Sequence, residues 1–294
     1  MRVALLGLGL IGGSIARAVG RDRPDWPITA WSPSGDGPAA AADAGLVTTA
    51  PSVEAAVEGA ELVVLCGPPL ACLELIDTLG GPIRGRLAAG AVVTDVASTK
   101  SAIVVRADEA ALPFVGGHPM AGRESSGFAA ADADLFRDRP WVVVAGRHAT
   151  AADAARVEEL ARACGARPVT MTAADHDAAV AAISHLPLVL AAALVEAVAG
   201  GEGSERRDWA MAAGLASSGW QGMTRLARGD VEMGAGIVAT NAGPIADRIR
   251  DLRDVLDAWL ADLGGGERRG AGGPDSAAIA ARLAAARRRL EEGP

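Results

Sequence analysis

The feature that most constrains this chain is its opening. A short apolar run over residues 2–6 leads into Gly7-Leu8-Gly9-Leu10-Ile11-Gly12 and then into a helical pattern carried by Ile15, Ala18 and Val19. Strand, glycine turn and helix, in that order, begin a dinucleotide-binding α/β fold. Gly7 permits the tight turn, Gly9 lets a pyrophosphate approach the backbone, and Gly12 allows close helix–strand packing. Phosphates are expected on the helix N-terminus, where free amides and the helix dipole favour anions. Taken alone, the motif is equally a glycine-rich turn. Its place after the first strand, ahead of further βα units, argues for a cofactor.

Those units follow. Residues 28–31, 62–66, 91–95, 114–117 and 141–145 read as strands, with another at 167–171, and helical patterns cover 70–79 and 101–110. Such alternation implies a mostly parallel sheet with helices on both faces, and ligands beyond the carboxyl ends of its strands. Gly67, Pro68, Ser98 and His118 are all expected just past strand ends. After about residue 172 the strand signal stops. Helices are expected over 175–199, interrupted by Pro187, and over 204–218, 220–228, 231–240 and 244–263. The expected fold is therefore an α/β Rossmann-type N-terminal domain with a parallel-rich sheet (residues 1–172) and an all-α C-terminal substrate and dimerisation domain (173–263). A glycine-rich flexible linker and a short terminal helix (264–294) complete the chain. Helices this apolar bury more than one face, which argues for a homodimer.

Charge narrows the partners. The chain carries 28 basic and 36 acidic residues, a net of −8, and has no tyrosine and three phenylalanines. That balance disfavours nucleic acid and anionic membranes. The arginines at 282 and 287–289 read as a solvated face or docking arm. Cys66, Cys72 and Cys164 show no metal-ligand spacing, so reduced thiols, and no metal, are expected. The first strand starts at once, with no room for a signal peptide, and no apolar run of membrane-spanning length is free of charge or turn residues. A cytoplasmic location is expected.

The acidic residue that holds ribose hydroxyls in NAD enzymes falls about 20 residues past the glycines. Here that position is Ser32, with Pro33 next to it and Asp36 further along. NAD is the expected cofactor, with NADP still open. The chemistry is expected at His118-Pro119-Met120-Ala121-Gly122-Arg123-Glu124, read as a loop. A histidine titrates near neutrality, so it can take a hydroxyl proton while hydride leaves the same carbon. Without its context, a His-Pro pair is a turn histidine, Arg225 a surface ion-pair partner, His185 a satisfied core residue and Asp175 a helix N-cap.

Several motifs then share one pattern. The glycine turn with Gly13-Ser14, Asp95-Val96-Ala97-Ser98-Thr99-Lys100, His118-Pro119-Met120-Ala121-Gly122, Asp175-His176-Asp177 with Ser184-His185-Leu186-Pro187, and Thr224-Arg225-Leu226-Ala227 with Asn241 resemble the prephenate/arogenate dehydrogenases of tyrosine biosynthesis. The resemblance covers about residues 1–263 and leaves the tail uncovered. It implies oxidative decarboxylation of prephenate to 4-hydroxyphenylpyruvate, or of arogenate to tyrosine, with hydride passing to NAD(P). It implies His118 as the base, Ser98 as the residue aligning hydroxyl, imidazole and nicotinamide, and Arg225 as the partner of the ring carboxylate. Ser184 and His185 would contact substrate or nicotinamide, and Glu124 would line or gate the entrance. Gly7, Gly9, Leu10, Ile11, Gly12, Ser32, Gly67, Pro68 and Ser98 form the expected cofactor set. Leu188, Gly222 and Gly234 depart from residues common in the family and leave recognition of the substrate's side chain open. A β-hydroxyacid dehydrogenase of similar architecture would need a lysine in its helical domain, whereas the one lysine here is Lys100. A non-catalytic nucleotide sensor would not need His118, Ser98 and Arg225 together.

Overall fold

The computed structural model describes residues 1–123, 125–201, 206, 208–264 and 274–293. Two compact units divide the chain, Met1–Ala242 and Gly243–Pro294.

The first unit is built on an eight-stranded sheet: β1 (Val3–Leu6), β2 (Ile28–Trp31), β3 (Thr48–Thr49), β4 (Leu62–Leu65), β5 (Val92–Asp95), β6 (Phe114–Pro119), β7 (Pro140–Ala145) and β8 (Arg167–Thr170). Their order is β3-β2-β1-β4-β5-β6-β7-β8. Strands β1 to β6 pair in parallel, β7 runs antiparallel to β6, and β8 pairs in parallel with β7. Both faces are covered by apolar clusters. One gathers Ile15 and Val19 with Phe136 and Trp141, the other Ile76, Leu79, Ile103 and Phe114. The fully buried runs of β1 and β4 follow from that two-sided cover. The order reverses between β1 and β4, so the crevice at their carboxyl ends is the switch point where α/β sheets bind ligands.

The sequence from 173 on is helical. Ala173–Val180, a π turn over Ala181–His185 and Leu186–Ala199 run on as one helix, so Pro187 does not interrupt it as expected. Proline lacks the amide and crowds the carbonyl four residues back. The widened turn, closed by Leu186 N–H donating to the Ala181 carbonyl, takes up that misfit within an unbroken helix. Shorter helices follow at Trp209–Gly214, Ser218–Thr224 and Val231–Thr240. The expected helix over 204–218 lies partly outside the described residues. Thr172 rather than Asp175 caps the long helix, accepting from Asp175 N–H, which leaves Asp175 in the first turn. The expected linker over 264–273 lies almost wholly outside the described residues.

In the second unit, the helix that ends at Asp262 and the terminal helix Ser276–Glu291 are joined by an ion pair of Arg282 with Asp262 and by the Arg282 guanidinium 5.7 Å from the Trp259 ring. At least one of the expected tail arginines therefore ties helix to helix.

Candidate active site

The glycine turn is shaped as its spacing predicts. Gly7 has φ +106°, and a Cβ on Gly12 would stand 2.2 Å from the Gly7 carbonyl oxygen. Gly9 is the opposite case: a Cβ there would meet nothing within 4 Å. The helix Leu10–Asp22 begins at Gly9 without a side-chain cap, so the amides of its first turn are free to receive an anion. Beside it lies a cavity of about 530 Å³, lined among others by Gly7, Gly9, Ser32, Gly67 and Pro68. Asp36, at the start of a short helix, and Pro33 line it too. Open backbone at Gly9, uncapped amides and a cleft at the switch point fit a dinucleotide. Leu10, Ile11 and Gly12 form that first helical turn and are not among the residues lining the cavity. Ser98 is half-buried in the segment between β5 and the helix Ser101–Glu109.

His118 is not in a loop. It is the penultimate residue of β6, opposite Val142 of β7, and the ladder continues to Met120, whose N–H donates to the Pro140 carbonyl at 2.9 Å. Antiparallel pairing with β7 carries the strand two residues further than its apolar run suggests. The backbone under His118 is braced from behind. Asp95 accepts from Gly117 N–H at 3.0 Å and Ala97 N–H at 3.1 Å, and is ion-paired with the fully buried Lys100.

The His118 imidazole is half-buried and meets a second ring that sequence reasoning gave no role. His118 Nδ1 is 2.8 Å from His176 Nε2, and the rings stand edge to face at 75°. His176 Nδ1 is 2.8 Å from Asp177 Oδ1. Asp177 also accepts from the backbone N–H groups of Lys100 and Ser101, each at 2.8 Å. Burial pushes the His118 pKa well below the ordinary histidine value, helped by the Lys100 charge and the neighbouring imidazoles of His176 and His185. At Asp177 burial works the other way, but its hydrogen bonds win and hold the carboxyl below its usual range.

His185 is buried at 1 % exposure. Its Nδ1 lies 3.0 Å from Asn241 Nδ2, which itself donates to the Asp177 carbonyl at 2.9 Å. An amide nitrogen can only donate, so Nδ1 accepts and Nε2 carries the proton. That Nε2–H is buried without a partner, an orphan donor of the kind that a ligand satisfies. Burial lowers the His185 pKa to about 4, keeping the ring neutral.

A second cavity, of about 660 Å³, brings Ser184 and Arg225 together. Arg123 and Arg228 add two more guanidinium groups, and Asp230, the acidic residue in this lining, already accepts from Met233 N–H at 2.8 Å as a helix cap. Leu188 and Gly234 face each other in it, a Cβ on Gly234 lying 3.8 Å from Leu188 Cδ2, whereas Gly222 is not part of the lining. His118, Ser98 and His185 lie outside its lining, and Glu124 falls outside the described residues. Gly122, four residues past His118 and three past the end of β6, is part of this lining.

A dinucleotide cradle at a switch point, a histidine fixed on the neighbouring sheet and an arginine-lined cavity among apolar helices define a two-part dehydrogenase. Comparison with known proteins gives the family. The model for the prephenate dehydrogenase nucleotide-binding domain matches residues 15–170, and that for the prephenate dehydrogenase dimerization domain matches residues 172–262. The chain is 32% identical to the prephenate dehydrogenase of Bacillus subtilis over 267 residues, covering 89% of this chain and 68% of that one. Among solved structures it resembles Synechocystis arogenate dehydrogenase, with a TM-score of 0.76 and 30% identity over 98% of this chain and 99% of that one. The fold of prephenate dehydrogenase from A. aeolicus, solved with hydroxyphenyl propionate and NAD+, superimposes with a TM-score of 0.84 at 23% identity, covering 99% of this chain and 98% of that one. The chain belongs to the prephenate dehydrogenase family of NAD(P)-dependent oxidoreductases.

Proposed function

We propose that this protein is a homodimeric, NAD-dependent prephenate dehydrogenase, with Gly7, Gly9, Leu10, Ile11, Gly12, Ser32, Gly67, Pro68 and Ser98 holding the cofactor. NAD is supported by Asp36 in the cofactor cavity, since a carboxylate there repels the 2′-phosphate of NADP. The structure of the A. aeolicus relative with NAD+ is consistent with that reading.

His118, fixed on β6, accepts the proton of the ring hydroxyl. Nicotinamide, when bound, supplies an acceptor for the hydride from the same carbon. The C–O bond becomes a carbonyl, and the C–C bond to the ring carboxylate then breaks, releasing carbon dioxide and leaving its electron pair to complete the aromatic ring. The proton on His118 returns to the oxygen as the phenol forms, so the protein ends as it began. Arg225 holds the ring carboxylate through its fixed fork of donors, with Ser184 beside it in the cavity. Ser98 aligns hydroxyl and imidazole. The unpartnered Nε2–H of His185 is a donor for substrate or the nicotinamide amide.

The observation that carries prephenate over arogenate is the charge of the second cavity. Both substrates carry two carboxylates, which Arg225 and Arg228 suit while Arg123 is ion-paired with Asp132. Arogenate adds an ammonium group, and Asp230, the acidic residue among the described lining, is engaged as a helix cap rather than offered to it. Initial rates of reduced-nicotinamide formation, crossing prephenate and arogenate with NAD and NADP, test all of this at once. Prephenate with NAD is expected to give the highest kcat/KM; a preference for arogenate overturns the substrate assignment, and for NADP the cofactor assignment.

A further inference from the structure

The chain of polar atoms behind His118 has a direction, and Asp177 sets it. Its two carboxylate oxygens are acceptors only, and backbone amides at the start of the helix Ser101–Glu109 occupy both: Lys100 N–H on Oδ1 and Ser101 N–H on Oδ2. Those hydrogen bonds favour the ionised form. His176 Nδ1, 2.8 Å from Oδ1, must therefore donate. In its neutral form His176 then has a bare lone pair at Nε2. That lone pair faces His118 Nδ1 at 2.8 Å, so His118 Nδ1 must carry the proton. The remaining nitrogen of His118, Nε2, is left with its lone pair free.

We propose that Asp177 and His176 are positioning residues that fix the tautomer of His118, holding its proton on Nδ1 and presenting Nε2 as the base. The inference rests on the reading of His118 as the base of the dehydrogenase reaction. It adds two residues that the reaction itself does not require to touch substrate. Which nitrogen of a histidine is protonated is decided by the hydrogen bond the other one makes. Free imidazole side chains favour the proton on Nε2, the wrong nitrogen here, so an acceptor behind Nδ1 is needed. A buried carboxylate commonly supplies that acceptor directly; here His176 stands between, because the carboxylate is spent on the amides of a helix start. When Nε2 takes the hydroxyl proton, the imidazolium is stabilised through the same two hydrogen bonds, with no proton required to leave His118.

The groups facing His118 make this arrangement necessary. Lys100, His176 and His185 all disfavour a positive charge on the ring, and among the groups acting on it Asp177 is the one that favours it. Removing His176 severs His118 from that carboxylate. The chain also spans both sequence halves: His118 is on the sheet, His176 and Asp177 are on the first long helix, and the amides belong to a third element.

The test is nitrogen NMR of isotope-labelled protein, in which the protonated and bare ring nitrogens are readily told apart. The chain has four histidines, and the His118 signals are assigned by their loss in His118→Asn. In the wild-type protein His118 is expected as the Nδ1–H tautomer. In His176→Leu it is expected to revert toward Nε2–H, with kcat for prephenate falling about 10- to 100-fold, less than the roughly 10²–10⁴-fold that loss of a general base itself costs, and KM little changed. A merely structural role for His176 would leave the His118 tautomer where it was. Nε2–H in the wild type overturns the proposal, and so does a folded His176→Leu with unchanged tautomer or unchanged kcat. If His176→Leu does not fold, the wild-type spectrum decides alone. The tautomer is read without substrate, so a wild-type protein inactive on prephenate and arogenate would overturn the proposed function while leaving this measurement intact.

Discussion

Lys100 is the chain's single lysine, and it is fully buried against a fully buried Asp95. Burying two charges is costly, and such a pair is weak evidence of net stabilisation; removing one partner, however, strands the other. Asp95 in turn carries the amides of Gly117 and Ala97, so the cost would fall on the strand that holds His118. Lys100→Met is expected to lose about 3–5 kcal/mol of unfolding free energy, the usual cost of an uncompensated buried charge, read from urea denaturation. A loss below about 1 kcal/mol would mean that Asp95 takes up a proton readily and needs no partner. A second expectation concerns acid. His185 is neutral in the fold with a pKa near 4, and His118 is also held well below the ordinary value, so between that value and about pH 4 the unfolded chain binds protons that the folded one does not. Stability from these two residues is present in full above the unfolded pKa and is lost as pH falls from there through their folded values, which for His185 is about 4. For His185 the loss is on the order of 2–3 kcal/mol at about 1.4 kcal/mol per pKa unit. The melting temperature of His185→Gln is expected to fall less steeply than the wild type's from pH 7 to pH 5; parallel curves would show that His185 titrates normally.

At the scale of elements, the glycine turn makes the sharpest statement. A Cβ at position 12 would stand 2.2 Å from the Gly7 carbonyl oxygen and 3.2 Å from Cys66 Cβ, so the helix would have to move off both the turn and β4's end. Gly12→Ala is expected to weaken NAD binding at least tenfold by calorimetry and to cost roughly 1–3 kcal/mol of stability, as overpacking does. Unchanged affinity would show that the helix N-terminus does not hold the phosphates. This turn was legible from spacing because its geometry is local. So were the apolar runs of β1, β2 and β4 and the helix Val231–Thr240. The two-residue strand Thr48–Thr49 is too short to show a period, and the reversal at β7 leaves no mark on a strand buried on both faces. The end of β6 was hidden for the same reason: His118 and Pro119 belong to the strand only because β7 pairs with them. The π turn follows from Pro187, but proline alone does not say whether a helix breaks or widens. At the candidate site, single residues were legible and their partnerships were not. Asp175-His176-Asp177 was visible as a motif, yet the contact of His176 with His118 joins positions 58 residues apart.

At the scale of the whole molecule, the helical segment exposes too much apolar surface for a chain on its own. Ile183 is 70 % exposed, Met211 70 %, Leu215 79 % and Val231 85 %. The helix Ala173–Ala199 is long and apolar enough, by length and composition, to cross a membrane, and only 22 % of that stretch is buried. Apolar surface on this scale marks an interaction site. Two features say which kind. The same helix contributes His176, Asp177 and Ser184 to the candidate site, so it is committed to a position beside the sheet, and the matching family model over residues 172–262 describes a dimerization domain. A second copy of the chain, burying like against like, satisfies both. Light scattering is expected to give a mass twice that of the 29.5 kDa chain. The double variant Met211→Asp, Leu215→Asp would place two charges in a face that must be dehydrated to form, and is expected to raise the dimer dissociation constant at least 100-fold, the loss of about 2.7 kcal/mol that one buried anchor can supply. A monomeric wild type would overturn the dimer. A variant that remains dimeric at the same concentrations would move the interface to another face of the helical segment.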